Sequence, residues 1–197
     1  MLGQHHVLKK RYDSWIYRNF TVYSGYFILF CAFILSSGCS TLGPHGGSVE
    51  KRANKLSAAL QRAYQVPSFT ANRLSPWIIQ SADRYQVPAE WIAATIKQES
   101  GYRSGLTSSG GAVGLSQIIP SYWSAVCPGD LYQDRGNIEC NAFILARYEK
   151  QAGSWFKAAA YYNVGPSGYE SSFWTRHKAK KYARSVKRYK KQLQKAL

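Results

Sequence analysis

Glu99 closes a run with helical periodicity and is followed at once by Ser100 and Gly101. Eighteen residues later comes Gln117, inside the stretch Ser109-Gly-Gly-Ala-Val-Gly-Leu-Ser-Gln-Ile-Ile-Pro120. A third cluster, Tyr161-Tyr-Asn-Val-Gly-Pro166, lies further on. Ile92 and Ile96 precede Glu99 by seven and three residues, which puts all three on one helix face. A carboxyl group at the end of an apolar stripe is partly desolvated, so its pKa rises and it keeps its proton near neutrality. A general acid that protonates the oxygen of a glycosidic bond needs that property. With a Gly-rich loop and a Tyr-Asn turn beside it, the carboxyl points to a cleft for cleaving sugars.

The elements that must position these residues read almost entirely as helices. Ala53, Leu56, Leu60 and Tyr64 give Val49 to Gln65 helical spacing, and Val66-Pro67 stops it. Ser75-Pro76-Trp77 predicts a helix start, with Ser75 as cap and Pro76 in the first turn. Val87-Pro88 breaks that helix and opens the one carrying Trp91, Ile92, Ile96 and Glu99. Asn137 to Gln151 follows, with Ile138, Ala142, Leu145 and Tyr148 inward. Ser154 to Tyr162 is a further helix, Asn163 to Gly168 a turn, and Lys178 to Ala196 a long basic helix. Only Gly110 to Gln117 invites a brief strand-like pairing. The fold class is mainly α, with a substrate cleft built from loops.

Ordinary glycosidases use a second carboxylate at a set distance from the first. Asp83, Glu90, Asp130, Asp134, Glu139, Glu149 and Glu170 are the candidates, and none falls in a stretch that reads as a cleft loop. Glu90 lies at the other end of the Glu99 helix, and Asp130 and Asp134 read as turn and cap residues. The chain offers one acid and no evident partner for it.

With 197 residues there is room for one ordinary domain and short extensions. Lys9, Lys10, Arg11 and Arg18 precede an uncharged apolar run from Thr21 to Leu35, and small residues follow. That order fits a secretory signal, the run being short of the ~20 residues of a comfortable span. Leu35-Ser-Ser-Gly-Cys39 resembles a bacterial lipoprotein box, with Cys39 as the lipidated residue, although its leucine stands one position early. An uncleaved signal anchor fits the same residues. Residues 1–39 are thus expected to be signal or anchor, 40–74 a tether and short helix, 75–190 the catalytic domain, and 191–197 a basic tail. Export puts that domain in the bacterial envelope: on the periplasmic face of the outer membrane if lipidated, otherwise anchored to the inner membrane. Cys127 and Cys140 are then a pair in an oxidising compartment, for which a disulfide is the leading reading and two separate buried thiols the other.

The 26 basic and 10 acidic residues give a net charge of +16. Without residues 1–38, which hold four basic residues and Asp13, 22 basic and 9 acidic residues leave +13. The bias therefore belongs to the working domain and favours polyanions. Ten Lys or Arg and no acid lie between Arg176 and Lys195. Export argues against nucleic acid as their partner; anionic stems, wall polymers and membrane surfaces remain, as does a merely solvated helix face.

The three clusters, Glu99-Ser100, Ser109 to Pro120 and Ala160 to Pro166, together resemble the motifs of family 1 lytic transglycosylases, in order and spacing, over about residues 75 to 190. That resemblance implies a goose-lysozyme-like helical fold. It implies cleavage of the bond between N-acetylmuramic acid and N-acetylglucosamine in peptidoglycan without water, leaving a 1,6-anhydro sugar, and calls for no metal or organic cofactor. By position it makes Glu99 the acid and then the base. It puts Ser100 at the turn after it, and Ser109, Gln117, Ile119, Tyr162, Asn163 and Tyr182 on the substrate. Ser116 and Tyr161 depart from the usual methionine and alanine and are expected to alter the cleft. A lysozyme-like hydrolase on the same fold and a non-catalytic wall-binding component are the rival readings. Specialised relatives that open the wall for secretion or conjugation machinery share the short domain and the cysteine pair.

Overall fold

The computed structural model describes residues 42–197; the proposed signal, its box and Cys39 lie outside the described residues. Among the described residues seven α-helices carry the fold: α1 Val49–Tyr64, α2 Ser68–Tyr85, α3 Ala89–Glu99, α4 Pro120–Trp123, α5 Asp134–Ala152, α6 Trp155–Ser171 and α7 Phe173–Ala196. Among the described residues none is long and apolar enough to cross a membrane. The mainly helical class expected from the periodicity is what the chain adopts.

α3 is the core helix. Residues Ala89 to Ile96 are all buried, and α2, α5 and α7 pack around them. A helix covered on every side has no solvated face, so its polar groups must be settled locally. The end of α3 shows how. The Ser100 amide donates to the Ile96 carbonyl at 3.1 Å, and the Ser100 hydroxyl accepts from the Tyr102 amide at 3.2 Å. Gly101 and Tyr102 both take positive φ, 61° and 69°, which turns the chain back so that the Tyr102 hydroxyl donates to the Ala93 carbonyl. Glu99 is thereby fixed at the last helical position.

One expectation needs correction. α2 does not start at Ser75. It runs through Pro76 from Ser68, and Ser75 is buried with no hydrogen-bond partner for its hydroxyl among the described residues. Ala71, Leu74, Ile78 and Ile79 are fully buried on one continuous stripe; their burial outweighs the hydrogen bond that the proline removes. The expected short helix is Val49–Tyr64, and the stretch before it, read as a tether, is held to the domain at Leu42 and Gly47. Leu42 is buried, and the buried Arg52 of α1 grips both oxygens of Asp83 on α2 at 2.7 and 2.6 Å while donating to the Leu42 and Gly47 carbonyls. Residues 191–197 continue α7 almost to the end, with Leu193 fully buried.

The loop from Arg103 to Ile119 pairs only at two isolated bridges, Thr107 with Val113 and Val113 with Ile118. Its tight course uses Gly114 at φ 74°, where an added Cβ would collide with the Asn137 amide. The turn expected at Asn163 to Gly168 is a kink inside α6, made by Gly165 at φ 71° and ψ 163° and continued by Pro166. Cys127 and Cys140 form a disulfide with a Cα–Cα distance of 5.2 Å, tying the loop before α5 to that helix.

Candidate active site

The end of α3, the 114–119 loop, α4, α5 and the kink of α6 surround a cavity of about 380 Å³. Glu99, Gln117, Ile119, Tyr162 and Asn163 all line it, joined by Tyr122, Trp123, Ile144, Tyr148 and Val164. Three motifs separated by up to 64 positions in the chain therefore converge on one space. Aromatic and aliphatic walls with a few polar groups suit the faces and hydroxyls of a sugar ring.

Burial raises the Glu99 pKa from 4.5 to about 7, and a hydrogen bond from the Tyr182 hydroxyl to Oε1 partly opposes that rise. The carboxyl is thus about half protonated at neutrality while keeping a donor that favours its ionised form. Tyr182 reaches it from α7, whose buried Ala179, Ala183 and Val186 seat the helix against the core. Burial first, and the nearby Glu99 second, hold both the Tyr162 and Tyr182 phenols well above the ordinary tyrosine value, so both stay as hydrogen-bond donors.

Among the described residues Glu99 is the only carboxylate lining the cavity. Asp83 is held by Arg52, Asp134 by Arg73 at 2.6 Å, Glu139 by Arg84, and Glu170 by Arg176 and Lys157. Asp130 accepts from the Tyr132 amide in a local turn. Glu90 is buried in the first turn of α3, the far end from Glu99.

The other expected residues divide by location. Gln117, at φ 46°, folds its side-chain amide back onto the Gly114 carbonyl at 3.0 Å, so it braces the loop as well as lining the cavity. Tyr162 donates to the Ser116 carbonyl at 2.9 Å. Ser100 is buried in the turn after α3, and its hydroxyl is engaged with backbone groups there. Ser109 is exposed in the loop and is not among the cavity-lining residues. Tyr161 is buried and packs edge-on against Tyr148 and Tyr169, so this departure from the usual alanine fills core and does not line the cleft.

Two residues that sequence reasoning passed over hold the loop in place. Asn137 accepts from the Ser116 amide at 2.8 Å and donates to the Val113 and Leu131 carbonyls, both at 2.9 Å. Asn141, one turn on, donates to the Ser116 hydroxyl at 2.9 Å. Both asparagines are fully buried on α5. Ser116, where the motif usually has methionine, is therefore the link between α5 and Tyr162. The available signal was two amides at i and i+4 on the apolar face of Ile138 and Leu145.

A family model described as the transglycosylase SLT domain matches residues 76–188, more than half of the chain. Its span takes in Glu99, the 109–120 loop, the α6 kink and Tyr182, and stops one turn short of Leu193. The chain therefore belongs to the SLT-domain transglycosylases, lytic transglycosylases of lysozyme-like helical fold that act on peptidoglycan.

Proposed function

We propose that the protein cleaves the glycosidic bond between N-acetylmuramic acid and N-acetylglucosamine without water, releasing 1,6-anhydro-muramyl ends. The observation that carries this reading is a carboxyl with its pKa raised to about 7, facing a cavity that no second carboxylate lines among the described residues. Protonated Glu99 gives its proton to the bridging oxygen as the bond from that oxygen to the muramyl anomeric carbon breaks. The muramyl C6 hydroxyl then bonds to the anomeric carbon and returns a proton to Glu99. One group is acid and then base, and the proton balance closes with no water consumed. The two roles need opposite stabilisation. Burial favours the protonated starting form, and the Tyr182 hydroxyl favours the carboxylate formed midway. The substrate's acetamido group and the dipoles of the Tyr162–Ser116 link face the charge that develops on the sugar. Gln117, Ile119 and Asn163 would contact the flanking sugars, and Ser100 would act by holding the turn.

An acidic, covalently closed wall outside the cytoplasm suits the basic domain, the disulfide and the export signal read at residues 1–39. Envelope location, anchoring through Cys39 or an uncleaved signal, and service to a secretion or conjugation machine form part of the same proposal. The test is mass spectrometry of muropeptides released from purified sacculi by the protein and by Glu99→Gln. Anhydro-muramyl ends from the first and none from the second are expected. Reducing ends, or unchanged release by the variant, would refute it.

A further inference from the structure

α7 has two working sides. Ala179, Ala183, Val186 and Leu193 are fully buried against the domain. At 100° per residue, Phe173, Lys180, Arg184, Lys187, Lys191 and Lys195 form a stripe centred about 120° round the helix from that buried side, about 33 Å long at 1.5 Å per residue. All six are exposed. None of the five cations makes an ion pair among the described residues, and α7 contains no acidic residue to neutralise them.

The stripe begins with two large aromatics out in solvent. Phe173 and Trp174 are 71% and 74% exposed, and their rings meet edge to face at 5.6 Å. The Ser172 hydroxyl caps this end of α7, accepting from the Thr175 amide, so the pair stands on an ordered helix start. An exposed Phe-Trp pair gains nothing in water, but each ring is at home where a hydrocarbon layer meets polar headgroups. Unpaired cations in line with it gain where those headgroups are anionic, roughly fivefold in affinity per charge. A flexible anionic polymer without ring faces to stack would be satisfied by the cations and would leave the rings in water; a bilayer satisfies both.

We propose that the outer face of α7 docks on an anionic lipid bilayer, with Phe173 and Trp174 entering the headgroup boundary and the Lys/Arg stripe lying along the surface. The buried side of the same helix carries Tyr182 to Glu99, so docking would hold the cleft at a fixed height and tilt above the lipid. This inference is independent of the reaction proposed above.

The test uses the full chain in vesicles with brominated acyl chains, made of phosphatidylcholine alone or mixed with phosphatidylglycerol. Quenching assigned to Trp174 is the difference between the protein and Trp174→Phe, which removes any contribution of residues 1–39. It is expected with the anionic mixture, and lost with neutral lipid, in high salt, and in the Lys180→Gln, Arg184→Gln, Lys191→Gln, Lys195→Gln variant. Turnover of soluble glycan fragments by that variant should be unchanged, showing that it is folded. Absence of Trp174 quenching with anionic lipid, or equal quenching in neutral vesicles or in the quadruple variant, would overturn the proposal. So would a stripe whose charges change only retention on an insoluble anionic wall polymer.

Discussion

Replacing Glu99 by Gln should make the fold less sensitive to pH. The Glu99 pKa is about 7 in the folded chain against an ordinary 4.5. At 1.36 kcal/mol for each tenfold change in acidity, ionising it in place is unfavourable by roughly 3 kcal/mol. Contact with cleft water reduces this to about 2 kcal/mol. The sign follows from proton uptake. Between pH 4.5 and 7 the folded chain holds a proton on Glu99 that the unfolded chain has released, so this contribution is full below pH 4.5 and lost as pH rises through 7. Gln has no such proton, and its carbonyl can still accept from Tyr182. Thermal unfolding followed by circular dichroism at pH 4 and pH 8, on both proteins, isolates the effect, since all other titrating groups are shared. The difference in Tm should move by roughly 4–8 °C in favour of Gln on going to pH 8. Parallel curves would show that Glu99 is solvated, and the acid-base reasoning would fall with it.

Turnover of soluble glycan fragments should fall about tenfold per pH unit above pH 7, as Glu99 loses the proton it must donate; a flat rate to pH 9 would refute this. Tyr182→Phe removes the hydroxyl that lowers the Glu99 pKa, so the alkaline limb of the rate profile should move to higher pH and kcat should drop about tenfold. Asn137→Ala takes away three buried hydrogen bonds and should cost about 3 kcal/mol in a denaturant titration, along with the activity that depends on the 114–119 loop. Reducing Cys127–Cys140 should lower stability by about 3 kcal/mol, checked by unfolding with and without dithiothreitol.

Legibility in the sequence followed the distance over which each cause acts. Glu99 was readable because an apolar stripe ending in a carboxyl is a local pattern. Gln117, Tyr162 and Asn163 stand beside glycines that mark their turns, but the family resemblance is what put them on the substrate. Tyr182 was not readable from pattern, and only the family resemblance singled it out; its partner is 83 residues away. Asn137 and Asn141 were missed because an amide on a helix usually faces water, and what they bind is loop backbone that no helix periodicity announces. Pro76 misled for the opposite reason. Its local signal for a helix start is strong, but Ala71 and Leu74 before it were already committed to the core. The Gly/Ser/Pro composition of residues 40–47 suggested a tether, and Leu42 with Arg52 holds that stretch to the domain.

The Glu99–Tyr182 pair also sets an order in time. A ribosome delivers the carboxyl 83 residues before the phenol, so a nascent chain carries Glu99 without the group that completes its setting. Until α7 has been made, the carboxyl lacks its phenol donor. The hydrogen-bonded setting of Glu99 is therefore completed last. A polypeptide cut short before Tyr182 would lack both that donor and the buried Ala183, Val186 and Leu193 that seat α7 on the domain.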